Sequence, residues 1–297
     1  MNKRSMRFSV ALVGAGVVAG LFAMPARGDI SQAVMFRNLQ YAQTGDGNVL
    51  SFDSSFFTLR MLATQADEYT TVQAFYGGPG SPSPLAQVNA TTYEYSPDFY
   101  TTRAEMDTNF PMGTYTLTAN NINTSDADTT MFDYSADAYA HSLPYLTGTN
   151  YSDLQGMNPA EAFTFGFSPF VKDALATDPE LFFTIFDAAT NVPVFEFNFQ
   201  PDTTTGVTLP ANTLLANHAY GYDLDYSDRL TVTSNGADND ALLVFDVRTD
   251  GTFVTGEVPE PAAAMLLVMG VPALLVRRRS VGGGLFGVRG RGRWRRG

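Results

Sequence analysis

Apolar and polar residues alternate along several segments of the chain, as they do in a strand with one buried face. In residues 55–61 the alternation places Phe57, Leu59 and Met61 on one side. Residues 220–226 show the same pattern, with Tyr220, Tyr222, Leu224 and Tyr226 alternating with Gly221, Asp223 and Asp225. Because successive strand side chains point to opposite faces, we expect the apolar set in a core and both aspartates in solvent.

The same pattern predicts a β-hairpin, with arms at 181–187 and 192–199 and a turn between them. We expect Phe195, Phe197 and Phe199 on one face of its second arm. Four more strands are predicted, over residues 69–76, 114–118, 230–233 and 242–247.

Two local signals interrupt the strands. Glycine and proline crowd residues 77–84 and predict a loop, since proline removes donors and glycine permits turns. Thr102 and Glu105 have the spacing of a capping box, which predicts a short helix from Arg103 toward Phe110.

Strands separated by short turns indicate an all-β fold of antiparallel β-sandwiches. We divide the body into a β-rich domain over residues 29–141 and a β-sandwich domain over residues 143–256. The passage from Leu209 and Pro210 through Leu214 to Tyr220 and Tyr222 resembles the turn-then-tyrosine passage of fibronectin type III and other immunoglobulin-like domains. The resemblance implies two immunoglobulin-like or fibronectin III-like halves, with Tyr220 or Tyr222 as the corner tyrosine.

The first 28 residues have the three-part order of a secretory signal peptide. Residues 1–7 carry three positive charges, residues 8–24 are uncharged and mostly apolar, and Ala26 and Gly28 are small. This order predicts a signal helix that is cleaved before Asp29 by signal peptidase. An uncleaved anchor helix is the alternative.

The C-terminal segment has a second ordered pattern. Val258, Pro259, Glu260 and Pro261 precede an uncharged run over residues 262–276, and Arg277, Arg278 and Arg279 follow it. As a helix this run would be about 22 Å long, short of the ~30 Å hydrocarbon core of a membrane. It predicts a short transmembrane helix with its arginines on the cytoplasmic side and the acidic body outside.

Pro-Glu-Pro, a short apolar helix and an arginine cluster in this order resemble the PEP-CTERM sorting domain, over residues 257–279. The resemblance implies that an exosortase-like enzyme recognises Pro259, Glu260 and Pro261, cuts the chain there and passes it from the membrane to the cell surface. It also implies association with exopolysaccharide. The basic Gly/Arg tail at residues 280–297 departs from the family, whose members usually end soon after the arginines. A plain membrane anchor is the alternative.

The charge and composition of residues 29–260, the body of the protein, exclude several classes of partner and site. Residues 29–260 hold 30 acidic and six basic residues, a net charge of −24. Such a surface repels phosphate backbones, which argues against nucleic acid as a partner. The absence of cysteine removes thiol nucleophiles and cysteine metal sites, and two histidines are too few for a His-rich site.

Few residues carry candidate chemistry. His141 and His218 are the only histidine bases, and each lies in a loop-like context. Three aspartate pairs offer oxygen ligands to calcium but lie in no recognisable calcium loop: Asp126 with Asp128, Asp223 with Asp225, and Asp238 with Asp240. We therefore expect no cofactor, no catalytic residue and no metal site.

The leading hypothesis is a non-enzymatic exported protein of the cell surface or extracellular matrix. A carbohydrate-binding module is the alternative and would present a row of exposed aromatic side chains. A carboxylate-based glycan hydrolase is the third hypothesis and would hold two facing carboxylates in a cleft.

Overall fold

The computed structural model describes residues 29–122 and 126–258, so the predicted signal helix and most of the sorting segment lie outside the described residues. The described part contains fourteen strands and two short helices. The strands are β1 (Ile30–Gln43), β2 (Leu50–Ala63), β3 (Tyr69–Phe75), β4 (Ser83–Asn89), β5 (Thr92–Tyr95), β6 (Gly113–Asn121), β7 (Ala127–Tyr134), β8 (Phe163–Gly166), β9 (Glu180–Asp187), β10 (Pro193–Gln200), β11 (Gly206–Leu209), β12 (Ala219–Val232), β13 (Ser234–Asn235) and β14 (Ala241–Val254). The helices are α1 (Arg103–Asn109) and α2 (Asn150–Leu154).

The alternating segments form strands with the predicted buried faces. Phe57, Leu59 and Met61 of β2 are fully buried. The four alternating apolar residues of β12 are buried as well: Tyr220, Tyr222, Leu224 and Tyr226. The all-β prediction is therefore confirmed for the described residues.

Twelve strands form one sheet in the order β10-β9-β12-β14-β1-β2-β5-β4-β3-β6-β7-β13, and β8 and β11 form a second, two-stranded sheet. β1 lies between β2, which is antiparallel to it, and β14, which is parallel to it. The strands of the two proposed domains thus share one sheet across the boundary at residue 142. The β1–β14 pair is also the parallel exception to the predicted antiparallel pairing.

The large sheet folds back on itself around the first core. β3, β6 and β7 turn buried side chains toward those of β1, β2 and β14. The Tyr134 ring of β7 lies 6.1 Å from the Phe245 ring of β14, which marks the contact between the two layers. Phe57 and Phe110 stack within this core at 3.8 Å.

The second core lies on β9, β12 and the end of β14. It is covered by β8, β11 and α2, which contribute Phe165, Leu209 and Leu154. Phe165 and Phe183 pack with their ring centroids 4.7 Å apart. Because β14 contributes to both cores, the two halves are joined through a continuous strand.

The hairpin of β9 and β10 forms as predicted, but one side chain faces the other way. Phe195 and Phe197 pack against the second core. Phe199 has a φ of 57° and lies in a register shift between Phe197 and Gln200. The shift breaks the period of two, so Phe199 meets Phe182 on the opposite face and is half exposed. The prediction that all three phenylalanines share one face was wrong at Phe199.

Two predicted local motifs, the helix cap and the corner tyrosine, can be compared with the hydrogen bonds at their positions. The Thr102 hydroxyl accepts from the backbone N–H of Glu105 at 3.1 Å, so α1 begins at Arg103 with the predicted cap. The Tyr220 hydroxyl accepts from the backbone N–H of Leu215 at 2.9 Å. A corner tyrosine makes such a return contact to the backbone. Of the two candidates, Tyr220 has this contact, whereas the Tyr222 hydroxyl donates to the Gln43 side chain.

Candidate functional site

The strongest group of charges on the sheet is the Arg248 cluster, which comprises Arg248, Asp223, Asp225, Asp250 and Gln40. These side chains share the face of β12, β14 and β1 that points away from the cores. Arg248 lies directly opposite Asp225 on β12 and opposite Gln40 on β1. Asp223 lies opposite Asp250. The pairing register alone therefore brings three acidic residues around one arginine.

The guanidinium contacts all three carboxylates. Arg248 Nε lies 2.6 Å from Asp250 Oδ1 and 3.9 Å from Asp225 Oδ1. Arg248 also forms an ion pair with Asp223, and Gln40 donates a hydrogen bond to Asp250. One positively charged group thus faces three carboxyl groups in a confined space.

The expected solvent exposure was wrong at Asp223, which is buried, whereas Asp225 is partly exposed. Asp223 is 8% exposed, because the long Arg248 side chain and the adjacent strands cover it. The period of two holds in this strand, since both aspartates lie on the side of β12 opposite the core face. On that face, however, the two carboxyl groups contact the Arg248 guanidinium in place of water.

Burial is the largest influence on the pKa values of Asp223 and Asp225. It raises the pKa of Asp223 well above its usual range, and the charge of Arg248 opposes that rise. Burial likewise raises the pKa of Asp225 to about 7, again against the effect of Arg248. For Arg248, burial lowers the pKa, but the charges of Asp250, Asp223 and Asp225 outweigh it and the net change is upward. The arginine therefore stays charged while the acids compete for its single charge.

This geometry favours a structural role over acid–base catalysis. A glycosidase pair needs an acid and a base aimed at a substrate between them. Here each of Asp223, Asp225 and Asp250 is directed at Arg248. The cluster ties three strands together and neutralises part of their charge.

A second buried arginine lies in the first core, and the sequence analysis did not identify it. Arg37 is fully buried between apolar residues of β1 and donates to the backbone oxygen of Phe110 at 2.8 Å. It also pairs with Asp107 of α1 and lies 3.7 Å from Asp137. Its guanidinium carbon is 4.8 Å from the centroid of the Tyr134 ring. Arg37 therefore fastens α1 and residues 134–137 to the sheet. One feature of the sequence could have predicted this burial: Arg37 occupies the same side of the strand as the apolar residues Met35 and Leu39.

Both histidines pair with carboxylates. His141 Nε2 lies 3.1 Å from Asp173 Oδ2, and His218 Nε2 lies 2.6 Å from Asp187 Oδ2. The hydrogen bond from His218 is the largest cause that lowers the pKa of Asp187 to about 2. Within residues 29–122 and 126–258, neither imidazole ring forms a hydrogen bond with a serine or threonine hydroxyl. These pairs support loop structure rather than an activated nucleophile.

The other aspartate pairs act within the fold. Asp128 accepts a hydrogen bond from the Tyr69 hydroxyl at 2.9 Å. The segment at Asp238 and Asp240 holds the start of β1, because Asp238 N–H donates to Ile30 O at 3.0 Å and Gln32 donates to Asp240 O. In the described residues, no group of three or more histidine, cysteine, aspartate or glutamate side chains is placed to hold a metal ion.

Most aromatic side chains fill the two cores. The exposed phenylalanines of the described part lie on separate elements: Phe52 on β2, Phe75 on β3, Phe99 before α1 and Phe199 on β10. They form no row along one sheet, which a carbohydrate-binding module of the expected kind would present.

Two of the predicted processing residues are described. Asp29 is exposed at the start of the fold, with its N–H 3.3 Å from Thr64 Oγ1, and Val258 is exposed at the other end. The remaining processing residues lie outside the described ranges: Ala26, Gly28, Pro259, Glu260, Pro261, Arg277, Arg278 and Arg279. Neither described helix has the length and apolar composition needed to cross a membrane.

No family model and no curated protein matches the chain. Among solved structures, the chain is similar to the FN1-FN3 domains of chicken CNTN1, with 7% identity and a TM-score of 0.23, over 77% of this chain and 67% of that one. It is also similar to trypsin-activated alpha-2-macroglobulin from Escherichia coli, with 13% identity and a TM-score of 0.24, over 75% of this chain and 15% of that one. TM-scores this low assign neither a fold family nor a function, so the functional conclusion must come from the residues themselves.

Proposed function

We propose that this chain is a non-enzymatic exported protein of the cell surface or extracellular matrix. The observation that carries the proposal is the location of the aromatic side chains and of the clustered carboxyl groups. Most aromatic side chains are buried in two cores, and the three carboxyl groups of the Arg248 cluster contact their arginine. Both arrangements build a stable scaffold without a prepared reaction centre.

The proposed location rests on the two terminal segments. A signal peptidase cuts before Asp29, and an exosortase-like enzyme acts at Pro259, Glu260 and Pro261 while residues 262–276 hold the chain in the membrane. The product is then displayed in the exopolysaccharide layer. The net charge of −24 over residues 29–260 supports a hydrated, extracellular body.

Mass spectrometry of the surface-extracted protein tests this proposal. We expect a chain that begins at Asp29 and ends near Val258. A matched variant with Pro259, Glu260 and Pro261 replaced by alanine should keep its C-terminus and stay in the membrane fraction. An extracellular form that retains Arg277, Arg278 and Arg279 would refute the sorting step.

The two other hypotheses have less support. A carbohydrate-binding module would be favoured by tight binding of one oligosaccharide on a glycan array, and a hydrolase by release of reducing ends that Asp225→Asn abolishes. The prediction of two immunoglobulin-like or fibronectin III-like halves also stays a prediction. Independent folding of residues 29–141 and 143–256 as separate chains would support it.

A further inference from the structure

The second layer of the large sheet carries a solvent-facing surface that differs from the rest of the protein. We call it the threonine face. It consists of the outward side chains of β3, β6, β7 and β13: Thr71, Gln73, Phe75, Thr114, Thr116, Thr118, Asn120, Ala127, Thr129, Met131, Asp133 and Asn235. The register aligns Phe75, Thr116 and Met131 across three strands, and Thr118 with Thr129.

The threonine face is almost uncharged. Among its twelve residues, all of them described, only Asp133 carries a charge, and its carboxylate accepts a hydrogen bond from Thr114 at 2.6 Å. The body as a whole has 30 acidic residues and a net charge of −24. The outer face of β12 and β14, in contrast, holds the Arg248 cluster. The threonine face is therefore a nearly neutral surface on an otherwise acidic protein.

Part of the hydrogen-bonding groups of this face is available to a partner, although the Asn120 amide donates to the Thr71 hydroxyl at 2.6 Å. In the described part of the chain, the side chains of Gln73 and Thr116 form no hydrogen bond. Thr118 and Thr129 make only a long contact of 3.5 Å with each other. Exposed hydroxyl and amide groups both donate and accept, so they match a partner that does the same.

An apolar strip lies among these polar groups. Phe75 is 40% exposed and Met131 is 41% exposed, with Thr116 between them. An aromatic ring offers a flat apolar surface, which suits a partner with an apolar face and polar edges. Sugar rings have that character, since their C–H groups lie on the ring faces and their hydroxyls at the edge.

We propose that the threonine face binds an uncharged, hydroxyl-rich polymer, that is, a neutral polysaccharide. This inference rests on the proposed function and names the surface and the chemistry of the layer association. A carboxylated polysaccharide would be repelled by the acidic body, whereas a neutral one is not. A second copy of the chain is a poorer occupant, because a stable protein interface needs a larger apolar and aromatic centre than Phe75 and Met131 supply.

Native affinity electrophoresis of the full-length chain in mild detergent tests this inference. Gels contain hydroxyethyl cellulose as the neutral polymer, alginate as the acidic polymer, or no polymer. We expect hydroxyethyl cellulose, but not alginate, to retard the protein. The double variant Phe75→Ala, Thr116→Ala should bind hydroxyethyl cellulose about fivefold more weakly, since it removes the centre of the face. Phe199→Ala is the matched control, because it removes an exposed phenylalanine of β10, outside the threonine face.

Three results would overturn the inference: no retardation by hydroxyethyl cellulose, stronger retardation by alginate, or equal loss of binding in Phe199→Ala. A dimer in light scattering that the double variant abolishes would assign the face to a second copy instead. Circular dichroism of each variant checks that it is folded. A correctly trimmed surface protein that fails this assay refutes the binding face alone, whereas failure of the trimming experiment refutes the proposed function.

Discussion

The hydroxyl of Tyr222 donates a hydrogen bond of 2.9 Å to Oε1 of Gln43, and this contact joins the second core to the end of β1. The same Gln43 oxygen accepts from the backbone N–H of Leu146 at 3.0 Å. The Gln43 amide nitrogen donates to the backbone oxygens of Gly45, Gly47 and Leu146. Because Gln43 and Tyr222 are both buried, these bonds replace water and make Gln43 the polar connection between the two halves.

Substitutions at Tyr222 should separate this hydrogen bond from the packing of the ring. We expect Tyr222→Phe to lower the free energy of unfolding by about 1 kcal/mol, because Gln43 keeps its other partners. Tyr222→Ala should lower it by about 3 kcal/mol or more, since a fully buried ring is lost and a cavity remains. Urea unfolding measures both variants. Equal losses would show that the hydrogen bond, and not the ring, dominates.

Two glycines offer a matched comparison of steric crowding. A Cβ at Gly251 would lie 2.3 Å from the Tyr222 ring, and a Cβ at Gly221 would lie 2.3 Å from the Phe186 ring. Tyr222 is fully buried and has nowhere to move, whereas Phe186 is partly exposed. We expect Gly251→Ala to destabilise the protein by about 3 kcal/mol and Gly221→Ala by about 1 kcal/mol. Thermal unfolding of the two variants side by side tests the difference, and a larger loss at Gly221 would contradict it.

Removal of Arg248 should be strongly destabilising. Arg248→Met leaves Asp223, Asp225 and Asp250 together without a positive charge, which we expect to lower the free energy of unfolding by about 3 kcal/mol at neutral pH. Part of the loss should be recovered near pH 5, where Asp223 and Asp225, whose pKa values are raised, take up protons. The control is Arg60→Met, whose partly exposed pair with Glu94 should contribute about 1 kcal/mol or less. Similar, pH-independent losses in both variants would argue against a special role for the cluster.

Ionisation of Asp225 should make the free energy of unfolding depend on pH. Burial raises the pKa of Asp225 to about 7, so the folded protein holds this proton more tightly than the unfolded chain does. The stability contributed by the group is therefore present below its unfolded pKa of about 4 and is lost as the pH rises through about 7. We expect Asp225→Asn to be more stable than the parent at about pH 8 and to lose that advantage near pH 5.

Urea unfolding of the parent and the Asp225→Asn variant across this range measures the difference. The isosteric variant Asp133→Asn is the control, because Asp133 is exposed and lies outside the cluster. An advantage of Asp225→Asn that grows as the pH falls would contradict the assignment.

Local patterns in the sequence were enough to predict several elements. Thr102 and Glu105 specify the start of α1, because a cap acts within one turn of helix. The alternation around Phe57 and Tyr222 specifies which side chains are buried, because the period of a strand is two. These interactions act between residues close in sequence, so sequence spacing alone carries the information.

By itself, the sequence determined the all-β class, the core faces of β2 and β12, the cap of α1 and an acidic body with few basic residues. The tertiary structure decided that β1 pairs in parallel with β14, and that Arg248 lies among Asp223, Asp225 and Asp250. It also decided that Arg37 holds α1 from within the first core. The physical reason is that period and capping act over a few residues, whereas the partners of a buried charge are set by strand register and by packing between separate elements, as for Arg37 and Asp107, which are 70 residues apart.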